Sequence, residues 1–327
     1  MTANSAPVVA IDLGGTKALA GVVEANGTVR SRVWLPSRDL KGRPGDLLDR
    51  LAEGADAAAT SADLPFDSIQ AVGLCVPGPL DRSRSVVAKA PNLGWLNLPV
   101  RAELERRLPG KHVFLENDVR AAALGEHRLG AGRDYASMLA VFIGSGVGGG
   151  MVVDGELYHG AHGGAGEIGH MVVAAGGPRC SCGRAGCLES VAARDAVARY
   201  VIADVRHGHP TILTEILQGD LNAFTSRDLA TAVSRADAVA IHAARRSARY
   251  TGLAIGGVVN LLDPGIVVIG GGIAEAVGQP YVDWAAEIAR RQILSGGKTL
   301  PIVLSRLGDD AGLLGAALTA FAGRDAT

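Results

Sequence analysis

An order of elements that occurs twice constrains this chain more than any other feature: an apolar strand, a glycine-rich turn and a second apolar strand. Residues 8–13 and 18–23 flank Gly14-Gly15, and residues 137–143, 149–153 and 156–158 repeat the order around a longer glycine run. The first copy continues through Asn26-Gly27, a strong hairpin-turn pair, into a third strand at 29–34. Apolar periodicity then predicts helices at 46–61, 100–108, 119–129, 191–205, 227–235 and 237–262, strands at 69–76, 113–115, 266–269 and 302–304, and a last Ala-rich helix at 311–321. Strands alternating with helices make an α/β class, and two such units imply a cleft where ligand chemistry belongs. The repeat alone sets the division, near Asp118.

Size and charge narrow the function. A chain of 327 residues exceeds the length at which single cores usually stop growing, and 48% hydrophobic against 20% charged residues supplies substantial cores. Lys and Arg number 32 and Asp and Glu 33, so there is no electrostatic footprint for nucleic acid or an anionic membrane. The first residues lack the basic and apolar regions of a signal peptide, and each apolar run breaks before the roughly 18 residues a membrane span needs. A cytoplasmic protein is expected.

Three glycine loops follow predicted strands. In Asp12-Leu13-Gly14-Gly15-Thr16-Lys17 the glycines let backbone N–H groups approach a phosphate, while Thr16 and Lys17 offer a hydroxyl and a charge. Taken alone, this is equally a plain hairpin. Gly144-Ser145-Gly146 opens a longer run to Gly150, and Gly270-Gly271-Gly272 precedes a helix. None has the Walker ending or the full dinucleotide fingerprint. Together they suggest a nucleotide held by hairpins, the first two loops at the phosphates and the third near the nucleoside.

Of four cysteines, Cys180, Cys182 and Cys187 crowd together downstream of His170, too few in a long chain for a disulfide framework. Three thiolates and one imidazole are a ligand set that zinc takes in closed tetrahedral sites, and Gly176, Gly177, Pro178, Gly183 and Gly186 allow the tight turns. A chance cluster of reduced thiols is the alternative. Four protein ligands leave no open position for a water, so the metal is expected to be structural, fixing the carboxylates of Glu167 and Glu189 on either side. The fourth cysteine, Cys75, lies in an apolar stretch and reads as an inert buried residue.

Glu167-Ile168-Gly169-His170, nine residues and then Cys180-Ser181-Cys182-Gly183-Arg184-Ala185-Gly186-Cys187-Leu188-Glu189 resembles the zinc motif of the ROK family of sugar kinases and sugar-responsive repressors. The first glycine loop, Val76-Pro77-Gly78-Pro79, Asn92-Leu93-Gly94-Trp95, Glu116-Asn117-Asp118, the second glycine loop and Gly270-Gly271-Gly272 fall in the family's order, so the resemblance covers nearly the whole chain. It implies an actin-like fold of two lobes: residues 1–118, completed by a C-terminal helix at about 309–327, and residues 119–308 with the zinc motif at 167–189. It further implies a hexose kinase, glucokinase above all, using ATP with Mg²⁺, a structural Zn²⁺ and a dimeric or tetrameric assembly. Carried over residue by residue, Asp118 is the catalytic base; Asn92, Asn117, Asp118, Glu167, His170 and Glu189 bind the sugar; Asp12, Gly14, Gly15, Thr16, Lys17, Gly144, Ser145, Gly146, Gly271 and Gly272 hold the nucleotide; and His170, Cys180, Cys182 and Cys187 hold the metal. Two departures are visible: Ser145 replaces a common Thr, and Val119-Arg120 replaces a common Ala-Asn after Asp118.

From local sequence Asp118 is either this base or an ordinary helix N-cap. In both cases the helix N-terminus is expected to keep it ionised. His159, His162, His207 and His209 read as solvated. N-acetylmannosamine, N-acetylglucosamine and fructose remain alternative acceptors and polyphosphate an alternative donor, because such differences are read by cleft shape. A sugar-sensing repressor would need a winged-helix segment ahead of the first strand, and a non-catalytic sugar-binding module would tolerate loss of Asp118 or of the glycine loops.

Overall fold

A computed structural model of the chain describes residues 6–294 and 299–326. Two compact units divide it. The first runs to Leu129 and takes in Leu157–Ala165 and the chain from Asp309; the second holds Gly130–Glu156 and Gly166–Gly308. The expected boundary at Asp118 therefore moves to the far end of a helix. The cause is packing: the helix Asp118–Arg128 lies against the last helix, Ala311–Asp325, so closely that a Cβ on Gly315 would come 1.8 Å from the Ala121 carbonyl oxygen. Residues 1–5 and 327 of the expected first lobe, and 295–298 of the second, lie outside the described residues.

The first unit is built on β1 (Val8–Leu13), β2 (Lys17–Val23), β3 (Val33–Pro36), β4 (Ala71–Val76) and β7 (His112–Asn117), in the order β3-β2-β1-β4-β7. β1 and β2 form an antiparallel hairpin with Leu13 opposite Ala18, closed by the Gly14 N–H donating to the Lys17 carbonyl at 3.0 Å. β1, β4 and β7 are parallel, and their register sets Asp12, Cys75 and Glu116 in one row across the sheet. The third strand starts later than expected, because Val29 makes only an isolated bridge to Val23 and Arg30 turns its N–H to the Val22 carbonyl. An antiparallel ribbon of β5 (Val87–Ala90) and β6 (Trp95–Leu98) escaped the sequence reading.

The second unit repeats the plan with β8 (Met138–Ile143), β9 (Val147–Val153), β10 (Glu156–Leu157), β11 (Ile266–Gly270) and β12 (Ile302–Leu304), in the order β10-β9-β8-β11-β12. Again the first two strands are antiparallel and the next two pairings parallel. This duplicated sheet order is that of an actin-like fold. β9 starts at Val147, two residues before the expected 149, so Gly148 joins Gly149 and Gly150 in the strand. A Cβ on Gly149 would lie 2.7 Å from the Gly166 carbonyl oxygen and 2.8 Å from Ile168, so only glycine lets the chain at 166–168 cross the strand. The helix expected at 191–205 is two, Leu188–Ala192 and Arg194–Arg206, broken at Ala193, which is in extended conformation. The helix Gln279–Gln292 was also missed; it packs along the long helix Ala238–Leu262, whose small residue Gly252 leaves room for the Ala285 carbonyl.

Candidate functional site

In an α/β sheet with parallel neighbours, functional groups collect at the carboxyl ends of the strands. At the end of β7 the chain passes from strand to helix at Asn117, whose side-chain oxygen accepts from the N–H groups of Val119 (3.1 Å) and Arg120 (3.2 Å). Asn117, not Asp118, is thus the N-cap. Both protons of its amide nitrogen are engaged as well, donating to the Gly78 carbonyl at 3.2 Å and to Asp118 Oδ1 at 2.9 Å. The same Asp118 oxygen accepts from the Val119 N–H at 2.9 Å, so its carboxylate is oriented from two sides.

Asp118 differs electrostatically from the expectation of an ordinary ionised carboxylate. Burial raises its pKa, and the neighbouring charge of Asp12 adds to this; the hydrogen bonds from Val119 and Asn117 act the other way, and the result is a carboxyl raised to about 7. Helix-terminal N–H groups alone do not offset the loss of water. Asp12 is itself raised by burial, with Asp309 adding to the rise while the Cys75 thiol, its Sγ 3.1 Å from Oδ1, and Lys17 counter it. Burial drives the Cys75 thiol well above its ordinary range, so it stays protonated and donates to Asp12.

Around the first glycine loop, Asp12, Gly14, Thr16, Lys17, Leu19, Trp34 and Asp309 line a cavity of about 170 Å³. The Lys17 ammonium lies over the Trp34 ring, 3.9 Å from its centroid. Gly15 packs on Asn92, where a Cβ would come 3.2 Å from the Asn92 Cβ. Sequence reasoning singled out neither Trp34 nor Asp309.

His159 was missed as well. Its Nε2 lies 2.7 Å from Oε2 of Glu116, a fully buried residue that also receives Arg84 Nη1 at 3.3 Å and, on Oε1, the Asn117 N–H at 2.9 Å. Burial works against the Glu116 carboxylate, but the bond and charge of His159, with the Asn117 N–H and Arg84, bring its pKa below the ordinary value. His159 is therefore a bonded partner rather than a solvated ring. His162, His207 and His209 are exposed, as expected.

In the second unit the cysteine segment folds as a knot. The ligand atoms of His170, Cys180, Cys182 and Cys187 all lie within 4.8 Å of one another. Cys180 Sγ is 3.7 Å from His170 Nδ1, and Cys182 Sγ is 3.7 Å from Cys187 Sγ. A tetrahedral zinc with Zn–S bonds of about 2.3 Å requires ligand atoms roughly 3.8 Å apart, so the donors fit such an ion. Gly186, at φ +76°, is obligatory, because a Cβ there would meet the Ala174 carbonyl oxygen at 1.8 Å. Backbone and side-chain hydrogen bonds with Arg184 lower the exposed Cys182 thiol to about 6, readying it as a thiolate, while burial and the neighbouring thiols raise Cys187 to about 11.

The knot also adjoins the acidic residues on either side of it. Glu189 Oε1 accepts from the Ser181 hydroxyl at 3.1 Å and lies 3.5 Å from Cys180 Sγ, and its Oε2 accepts from the Val147 N–H at 3.2 Å, just past Gly146. Glu167 is exposed and starts the turn that ends at His170, whose N–H donates to the Glu167 carbonyl at 3.0 Å. The second and third glycine loops adjoin: a Cβ on Gly144 would lie 3.9 Å from the Gly272 nitrogen, and one on Gly271 would collide with Ile143. Asp12, Gly14, Gly15, Thr16, Lys17, Asn92, Asn117 and Asp118 thus belong to the first unit, and Gly144, Ser145, Gly146, Glu167, His170, Glu189, Gly271 and Gly272 to the second.

Comparison with known proteins places the chain in a family. The model of the ROK family matches residues 8–322. A glucokinase of Thermotoga maritima is 34% identical over 311 residues, 95% of this chain and 96% of that protein. Among solved structures, a ROK hexokinase from Thermus thermophilus is 38% identical with a TM-score of 0.81, over 98% of this chain and 100% of that one. A ROK family glucokinase from Streptomyces griseus, crystallised with glucose and AMPPNP, is 31% identical with a TM-score of 0.83, over 97% of this chain and 100% of that one.

Proposed function

This chain belongs to the ROK family, and from that premise we propose that it is an ATP-dependent hexose kinase that moves the γ-phosphoryl group of ATP to the 6-hydroxyl of glucose. One observation carries the assignment of the base: the Asp118 carboxyl, held by Asn117 and Val119 and raised to about 7, the range in which a general base works best near neutral pH. Phosphoryl transfer asks little covalent chemistry of the protein, so positioning and charge neutralisation supply most of the acceleration. Asp118 accepts the proton of the attacking hydroxyl as the oxygen bonds to the γ-phosphorus and ADP departs. Asn92, Asn117, Glu167, His170 and Glu189 bind the sugar hydroxyls.

The glycine loops Gly14–Lys17 and Gly144–Gly146 would cradle the phosphates of Mg²⁺–ATP, with Lys17 leaving Trp34 for phosphate oxygen, and Gly271 and Gly272 would lie towards the nucleoside. His170, Cys180, Cys182 and Cys187 would hold a zinc ion as a closed staple that keeps Glu167 and Glu189 in place and leaves no position to activate a water. His170, with Nδ1 turned to the thiols, keeps Nε2 for a sugar oxygen. The enzyme acts in the cytoplasm, where reducing conditions keep its cysteines as thiols, and as a homodimer or homotetramer.

The test offers ATP and Mg²⁺ with glucose, mannose, fructose, N-acetylmannosamine or N-acetylglucosamine and identifies the product by phosphorus NMR. Glucose 6-phosphate as the principal product is expected. Faster phosphorylation of an acetylated sugar would move the specificity, and no product with any of the five would end the kinase reading.

A further inference from the structure

The segment Leu157–Ala165 belongs to the first unit although the chain on both sides of it belongs to the second. Two independent attachments keep it there. At its start, His159 Nε2 meets buried Glu116 Oε2 at 2.7 Å. At its end the guanidinium of Arg120, only 4% exposed, donates through Nη2 to the Gly163 carbonyl at 2.6 Å and to the Ala165 carbonyl at 3.0 Å, and through Nε to Ala165 at 3.2 Å. Between these points the strap closes on itself. The Ala165 N–H donates to the His159 carbonyl at 3.1 Å, and Gly160 and Gly163, with φ of +74° and +72°, supply the left-handed turns.

The anchors are not scattered over the unit. Glu116 and Arg120 bracket Asn117–Asp118 in sequence, on either side of the strand-to-helix junction. Glu116 takes the Asn117 N–H, and the Arg120 N–H caps onto the Asn117 side chain. One short stretch therefore orients the base and grips the strap. The strap in turn ends two residues before Glu167. A buried guanidinium spending three hydrogen bonds on two carbonyls is a costly way to tether an ordinary surface loop, because Arg buried without good partners is strongly unfavourable.

We propose that Arg120 and the Glu116–His159 pair are positioning residues for the acceptor sugar: by clasping Leu157–Ala165 beside Asn117–Asp118 they set the strap as part of the acceptor site. The inference rests on the reading that the sugar binds at Asn117 and Asp118. None of the three touches reacting atoms; all act through the strap. Loss of the clasp weakens sugar binding and leaves nucleotide binding largely intact.

The test compares Arg120→Gln, Arg120→Lys and His159→Gln with the wild type by steady-state kinetics and by hydrogen exchange of the substrate-free protein. Arg120→Gln and His159→Gln should each raise the KM for glucose about tenfold with the KM for ATP held within about twofold. Exchange of the 157–165 amides should quicken while β1 and β4 keep their protection. Arg120→Lys, which retains the charge but not the fork, should fall between. His159 is half-buried, so His159→Gln keeps the test alive if the Arg120 variants fold poorly. An unchanged glucose KM in His159→Gln, or equal rises in both KM values, overturns the proposal, as does unchanged exchange of the strap. Exchange is read without substrate, so a wild type inactive on every sugar would sink the kinase reading while the strap result still decides whether the clasp exists.

Discussion

Replacing Asp118 with Asn should stabilise the protein in a pH-dependent way while abolishing turnover. In the folded chain the Asp118 carboxyl is raised from 3.8 to about 7, burial being the main cause and the charge of Asp12 the next opposing influence on ionisation. Since the folded value lies above the unfolded one, the folded protein still holds a proton between those two pH values that the unfolded chain has released. This group costs nothing below pH 3.8, and stability falls as pH rises through the interval, levelling above about 7. The full cost is about 4 kcal/mol, because each tenfold change in proton affinity is about 1.4 kcal/mol. Of this, about 2 kcal/mol accumulates between about pH 5.5 and about pH 8.5. Asn cannot ionise, and its oxygen can still accept from Val119 and Asn117, the bonds that Asp118 Oδ1 now accepts. Thermal unfolding of both proteins, followed by circular dichroism across that range, should therefore show the stability difference shifting toward Asp118→Asn by about 2 kcal/mol, about 3 °C in Tm for a chain of 327 residues. A difference that stays constant with pH, or that moves toward the wild type as pH rises, refutes the raised carboxyl and with it the electrostatic account of the base.

The same raised carboxyl predicts that kcat/KM for glucose falls about tenfold per pH unit below about 7, since only the ionised form accepts the hydroxyl proton; a flat profile down to about pH 5.5 would contradict it. Cys182→Ser should reduce bound zinc, read by atomic absorption, from about one ion per chain to near background, because a structural site draws on all four ligands. Full zinc retention would remove Cys182 from the ligand set. Lys17→Met should raise the KM for ATP about tenfold by deleting a charge-assisted bond to phosphate, with little change in the KM for glucose. The reverse pattern would place Lys17 at the sugar.

What could be read from the sequence depended on how far apart the interacting residues lie. The His170, Cys180, Cys182 and Cys187 cluster was legible because its members are close along the chain and glycines such as Gly186 mark the turns. The duplicated sheet was legible because each copy begins with a hairpin around glycine. Asp118 stood out by its motif as a candidate, yet its electrostatic state could not be foreseen. That state comes from burial and from Asp12, which the parallel register of β1, β4 and β7 brings to the same row as Glu116. His159 looked solvated because its partner Glu116 is 43 residues away, and no local pattern links a histidine after one strand to the end of another. Arg120 stood out only as a departure after Asp118; its grip on Gly163 and Ala165 belongs to tertiary structure. The helix Gln279–Gln292 is a different kind of miss, since Pro280 in its first turn and the buried series Tyr281, Val282, Ala285, Ala286 and Ala289 carry a helical signal that was overlooked.

The central claim is that this chain phosphorylates a hexose with Asp118 as base, and the most direct measurement is coupled ADP release from ATP and Mg²⁺ with glucose, run on the wild type and on Asp118→Asn side by side, with glucose binding followed by calorimetry. The account predicts glucose-dependent ADP release by the wild type, and, for Asp118→Asn, a loss of kcat of about a thousandfold with glucose binding still measurable. A wild type that releases no ADP in the presence of glucose, or a variant with kcat near the wild-type value, would contradict it.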